Sequence, residues 1–549
     1  MKTSLTYGSS ASPLIAASVA LCLLLVSGAG TGAQPAGGGS VPLTVPKATC
    51  GPNDHPETAL QGQVPASLRA AGFQGFNCNL ELLSQSKGDG ANWQTTEYRD
   101  AIGNGANQGK GVGHPGGTVC AYHGSASPAL SLPSRDPASY GVPVIDVTDP
   151  KSPVRMGYLQ TTSMLDPWES LKVNERRQLL AADNGQNGGG GPEIDIYDLS
   201  NDCRFPQLLA SVAVGNADGT TGVPGTVVGH EGSWAPDGLT YYGGDLRTNG
   251  GQYYAVDTSD PTSPKLITRW TPGFANVHGL SISDDGNRGY FVSLGGPPFG
   301  QNPPVPRTEA NANNGLMIYD LSEIQARKPN PQVRLISKLF WPDGSGAQHT
   351  IPIKIEGKPY IVFVDEAGSA GFAQASNLHI ARDAGLTPFP LARIIDIRDE
   401  TNPKVISKLG LETHVIANFD SVIPDLTGLG IFMYGSHYCS VDNKQKATTL
   451  ACGYFNSGIR VFDIRDPVHP KEIAYYNPAG TTTATVGSNH VSTAQWRAGG
   501  PDWCSAQVHL NADNGTLWST CQDNGVLVLK FTNGVWPFPE SKTPAGEQN

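Results

Sequence analysis

Residues 142–153 read VPVIDVTDPKSP, an apolar run that ends on an aspartate and passes through a polar turn to a proline. The same grammar returns as IDIYDLS at 194–200, YYAVDTSDPTSP at 253–264, LMIYDLS at 316–322, ARIIDIRDETNP at 392–403 and IRVFDIRDPVHP at 459–470. Alternating β-branched and aromatic residues make each run a buried strand, and Asp and Pro at fixed offsets turn the chain back at its end. The aspartates are Asp146, Asp198, Asp257, Asp320, Asp396 and Asp463, and GVLVLKF at 525–531 is a further copy without the aspartate. Recurrence at this spacing is the mark of a repeat architecture.

Work outward from any copy and the same neighbours appear. Ahead of the aspartate run lie strands such as LTYYGGD (239–245), GYFVSLG (289–295) and YIVFVDE (360–366); behind it lie RMGYLQT, KLITRWT, KVISKLG and KEIAYYN. Another strand, starting near a histidine and closing in a glycine turn, comes first: GHEGSWAPDG from His230 to Gly238, NVHGLSISDDG from His278 to Gly286, QHTIPIKIEG from His349 to Gly357. Four antiparallel strands per repeat and seven repeats predict an all-β chain, a seven-bladed β-propeller of four-stranded blades spanning 76–531. Glycine and proline are abundant (67 and 43) and charged residues make up only 15%, which suits short strands and turns rather than long helices. Gly/Asn/Pro-rich stretches at 86–119, 184–192, 294–314 and 366–391 are expected loops, and Asp183, Asp245, Asp365 and Asp523 are expected to cap turns.

The ends read differently. Lys2, an apolar run from Leu14 to Val26 and small residues at Thr31-Gly32-Ala33 form a secretory signal over 1–33. An N-terminal extension (34–75) precedes the propeller and a tail (532–549) follows it. The apolar run is short for a membrane span and no later segment approaches one. Removal of the signal takes away Cys22 and leaves eight cysteines, an even number that fits disulfides in a secreted or periplasmic protein. Cys439 with Cys452, and Cys504 with Cys521, flank hairpins and are the expected pairs. A net charge of −11 without any basic run argues against nucleic acid as a partner and against an anionic membrane surface.

The VxDxxDPxxP pattern, preceded by the histidine strand and the turn glycine, resembles the LVIVD-repeat proteins. That resemblance implies a secreted or periplasmic propeller and leaves the activity open. A more distant likeness to the selenium-binding proteins, copper-dependent methanethiol oxidases, carries no substrate across, because that family's longer signature motifs are absent.

Innermost strands of a propeller line its channel, so equivalent positions in successive blades converge. His230, His278, His349, His437 and His509 fall at such positions in blades three to seven, Glu169 in blade two, and Asn79 is the nearest candidate in blade one. Imidazoles gathered at one level of a channel would bind a transition metal, copper or iron before zinc, with Glu169 as a ligand, a catalytic base or an acceptor that fixes a histidine tautomer. The expected function is a metal-dependent oxidoreductase acting on a small-molecule substrate in the channel. The alternatives are a non-catalytic secreted propeller that binds a protein or surface partner, and a metal-assisted hydrolase. Against all three stands the plain possibility that each histidine closes a blade through a backbone carbonyl.

Overall fold

In the computed structural model, residues 41–541 are described apart from 92, 100–116, 126–135, 186–192, 217, 219, 221–228, 246–250, 274–275, 296–307, 372–373, 427–431 and 481–499. The expected signal segment (1–33), residues 542–549 of the tail and parts of the expected loops lie outside the described residues.

The aspartate runs are third strands. In blade four the order is Val277–Ile282, Arg288–Leu294, Asn314–Asp320, Arg334–Trp341, each antiparallel to the next. Seven such sheets form the ring of a seven-bladed β-propeller. The innermost strands of blades one to seven are Thr95–Arg99, Lys172–Asn174, Glu231–Trp234, Val277–Ile282, Gly344–Ile355, Cys439–Val441 and His509–Asn511.

Each aspartate does the turn-forming job its position suggests. Asp146, Asp198, Asp257, Asp320, Asp396 and Asp463 each accept, through Oδ1, the backbone N–H two residues on, at 2.8–3.1 Å. Where the motif carries a second aspartate the device repeats three residues later, as in Asp260 to Thr262 and Asp399 to Thr401. A side-chain acceptor in place of a backbone one lets the chain leave the sheet without stranding an amide. At the same end of the blades, Gly238 (φ 69°), Gly286 (φ 75°) and Gly357 (φ 74°) close the inner hairpins in the left-handed region, which a side chain would strain.

Blade one differs from expectation. FNCNLELL does not line the channel: Phe76–Cys78 pairs with the outer strand of blade six, and Leu80–Ser86 is the outermost strand of blade seven. Asn79, left-handed at φ 58°, is the corner between them. Blade one's inner strand is TTEYR at 95–99, inside the stretch read as loop. The N-terminal strand therefore closes the ring, which covers an edge that blade seven would otherwise expose. A second stretch read as loop, 366–391, contains the helix Gln374–Ala384.

Neighbouring blades pack face to face. Ala181, Ile194 and Ile196 of blade two, for example, bury against Trp234, Tyr241 and Tyr254 of blade three. Two aspartates read as turn caps have other work: buried Asp365 binds Arg393, which also binds Asp343, and buried Asp183 accepts the hydroxyl of Tyr254. Four disulfides join Cys50–Cys78, Cys120–Cys203, Cys439–Cys452 and Cys504–Cys521, which suggests folding in an oxidising environment, extracellular or periplasmic. Among the described residues no helix is long and apolar enough to cross a membrane.

Candidate metal centre

The hub is assembled from strand starts. His230 immediately precedes the inner strand of blade three and is anchored by its N–H to the Gly244 carbonyl (2.9 Å). The His230 carbonyl in turn accepts the N–H of Glu169 (3.0 Å), so backbone bonding sets blade two's carboxylate beside blade three's imidazole. His278 is the second residue of blade four's inner strand, and His437 is fixed ahead of blade six's by an N–H bond to Gly453 (3.0 Å).

These side chains converge. Glu169 Oε2 lies 3.2 Å from His230 Nε2 and 3.1 Å from His278 Nε2, and Glu169 Oε1 lies 3.6 Å from His437 Nε2. Glu366, at the end of blade five's second strand, brings Oε2 to 3.4 Å from His437 Nε2. Two donors held about 2.0–2.1 Å from one ion stand roughly 3.0 Å apart at a right angle and roughly 3.4 Å apart at the tetrahedral angle. The observed spacings are those of neighbouring ligands around a metal.

Orientation supports the same assignment. His278 Nδ1 lies 2.8 Å from the Ala347 carbonyl and His437 Nδ1 lies 2.9 Å from that of Ser505. A carbonyl only accepts, so each Nδ1 carries a proton and each ring turns its Nε2 toward the hub. The Nε2 atoms of His278 and His437, and Glu169 Oε2, are buried without any hydrogen bond of good geometry. Polar atoms this deep are normally satisfied, and their lack of such bonds on both sides of Glu169 marks the hub as a place for a ligand.

Electrostatics at the hub are strongly coupled. Burial would raise the Glu169 carboxyl, but His230 and His278 outweigh it and hold the group well below the usual range. Burial would lower His278, yet Glu169 beside it pushes the imidazole up to about 9. Glu366 is raised by burial.

The other two predicted ligands lie elsewhere. His349 stacks on the Tyr438 ring (centroids 4.5 Å apart), and burial drives its pKa well below the ordinary value. Register shifts between Gly344 and His349 interrupt the alternation of blade five's inner strand and turn this histidine off the cluster. His509 stacks on Trp518 (4.3 Å), with Nε2 2.9 Å from Thr95 Oγ1. Neither belongs to the ligand-spaced groups, which are Glu169–His230–His278 and Glu169–Glu366–His437.

Two environments flank the cluster. On one side lie aromatic rings: buried Trp93 is 5.1 Å from His437, half-buried Trp168 is 5.6 Å from His230, and Phe432, Phe455 and Trp503 pack behind them. On the other side Tyr438, whose ring is 4.8 Å from that of His437, donates its hydroxyl to Glu231 Oε2, and Lys172 Nζ approaches Glu231 Oε1 (3.4 Å). Burial, with Glu169 nearby, raises Glu231 to about 7 against the pull of Lys172. Glu231, Lys172, His349 and His509 line a cavity of about 920 Å³ on that side, bordered also by Leu280 and Ile351.

Fold and hub define a seven-bladed β-propeller with a buried cluster of histidines and glutamates. No family model matches the sequence, and no curated protein does. Solved structures of similar architecture include a candidate 6-phosphogluconolactonase from Bacteroides uniformis (12% identity, TM-score 0.46, covering 76% of this chain and 93% of that one). The hydrazine synthase of Kuenenia stuttgartiensis is another (10% identity, TM-score 0.44, 82% and 97%), and a protein from Lactobacillus plantarum a third (12%, 0.42, 74% and 98%). These likenesses concern architecture and say nothing of activity.

Proposed function

We propose that this protein is an exported, metal-dependent oxidoreductase that holds a transition metal at the propeller hub and acts on a small molecule. One observation carries the reading: the Nε2 atoms of His278 and His437 are buried without a hydrogen bond of good geometry and lie at ligand spacing from Glu169, the first from its Oε2 (3.1 Å) and the second from its Oε1 (3.6 Å), while both Nδ1 atoms face carbonyls. Two imidazoles with one carboxylate suit iron, and imidazole also suits copper and zinc. When bound, such a metal supplies redox or Lewis-acid activation of oxygen or of the substrate.

The chain's own residues do the rest. Carbonyls of Ala347 and Ser505 fix the tautomers and ring planes, so ligand geometry is set before binding. Buried Trp93 and Phe432 keep water from one flank, which strengthens every charge interaction inside. The cavity beyond Tyr438 is of a size that suits a small molecule. Export is supported by the signal-like segment 1–33 and the disulfides, and the repeat grammar supports kinship with the LVIVD-repeat proteins.

The test is metal analysis of untagged protein recovered after export, followed by oxygen uptake with a panel of small thiols, phenols and alcohols. The expected result is bound iron or copper and uptake that His278→Ala abolishes. Metal-free protein that stays inert to added metal would overturn the reading and leave the binding propeller. Metal-dependent ester hydrolysis without oxygen uptake would replace it with the hydrolase.

A further inference from the structure

The ligand atoms at the hub fall into two groups rather than one. His230, His278 and Glu169 form the first, His437, Glu366 and Glu169 the second, and within each group all three ligand atoms lie within 4.8 Å of one another. Glu169 belongs to both, through different oxygens. Its Oε2 faces His230 and His278 at 3.2 and 3.1 Å, while its Oε1 faces His437 at 3.6 Å. The second group is completed by Glu366 Oε2, 3.4 Å from His437 Nε2.

From this division we infer that the hub is a two-metal site bridged by Glu169, with one ion on His230 and His278 and the other on His437 and Glu366. The inference rests on the metal-centre reading above and adds stoichiometry and a role for each ligand. A carboxylate that turns one oxygen to each of two ligand pairs has the geometry of a bridge, and bridged pairs of ions sit about 3.5–4 Å apart. Each ion then has a carboxylate–histidine triad, two imidazoles with one carboxylate on one side and one imidazole with two carboxylates on the other. The rings of His230 and His278, with centroids 4.7 Å apart and planes at 46°, have the spacing of neighbours on a single ion.

The burial pattern agrees with two occupants. His278 Nε2 belongs to the first triad and His437 Nε2 to the second, and both are buried without a hydrogen-bond partner. An ion in the first triad alone would satisfy His278 and leave His437 Nε2 stranded. Rigid anchoring of both rings, through Ala347 and Ser505, keeps either from swinging across to a shared ion.

Apo protein titrated with Mn²⁺ decides the matter, read by calorimetric stoichiometry and by electron paramagnetic resonance. Wild type is expected to bind two equivalents and to show an exchange-coupled spectrum, and Glu366→Gln is expected to bind one and show the hyperfine pattern of an isolated ion. The melting temperature of each metal-free protein establishes that the variant folds; should it not fold, the wild-type stoichiometry and spectrum decide alone. A wild type that binds one equivalent with an uncoupled spectrum overturns the pair and leaves the single-metal reading standing. Two equivalents retained in folded Glu366→Gln overturn the assignment of the second triad, and no binding at all overturns both readings.

Discussion

His278→Ala separates a ligand from a structural histidine, because the two roles predict different dependence on metal. The imidazole is fully buried, and its removal strands the Ala347 carbonyl and opens a cavity in the hub. Together these cost roughly 2–4 kcal/mol in the metal-free protein. Metal affinity is a separate quantity. A four-ligand site binds Zn²⁺ with about 10–16 kcal/mol, so one ligand contributes about 3–4 kcal/mol, a loss of roughly a hundredfold to a thousandfold in affinity. At a free metal concentration a thousand times its dissociation constant, an ion stabilises wild type by about 4.1 kcal/mol. If the variant binds a thousandfold more weakly, the same concentration only half-fills its site and contributes about 0.4 kcal/mol. Urea unfolding of both proteins, with and without buffered metal, measures the two increments directly. An increment in His278→Ala equal to that of wild type would refute ligation, however much the metal-free variant is destabilised.

Other parts of the molecule make further predictions. His414 accepts the Leu411 N–H on Nδ1 (3.1 Å), which forces the neutral tautomer whose Nε2–H donates to the Pro390 carbonyl (3.0 Å), and burial lowers its pKa from 6.5 to about 4. A depressed folded-state value contributes stability above pH 6.5 that is lost as pH falls through 4, so His414→Gln should flatten the pH–stability profile in that window. Arg393→Met leaves Asp365 buried without its cation, while Asp343 keeps Lys408 (2.7 Å), and should cost about 3–5 kcal/mol in urea midpoint measurements. Cys120–Cys203 ties blade one to blade two across 83 residues, whereas Cys439–Cys452 spans 13. Loop-closure entropy makes the first pair worth about 4–5 kcal/mol and the second about 3 kcal/mol, so the double alanine variant of the first should melt lower.

Most of the architecture could be read because it is local. The six aspartates are hydrogen-bonded to amides two residues away, so the motif and the turn it makes occupy the same few residues. Hairpin cysteines were legible for the same reason: Cys439 faces Cys452 across one strand pair. Blade one was misread because ring closure is not local. Leu80–Ser86 joins Gly525–Phe531 from the far end of the chain, and nothing in LELLSQS says which edge it will cover.

The sequence alone determined the repeat, its strand order, its turns and the set of polar residues available near the axis. Tertiary structure decided which of them meet. Equivalent repeat positions predicted five histidines in one ring, but register shifts in blade five turned His349 onto Tyr438, and His509 lies against Thr95. Glu366 entered from a second strand, where only a flanking Asp365-Glu366 pair hinted at it. Glu231, the residue after His230, bonds to Tyr438 beside the cavity. Period-two alternation fixes the face a side chain takes within one regular strand; bulges and the meeting of strands from distant blades fix the ångström separations on which metal binding depends.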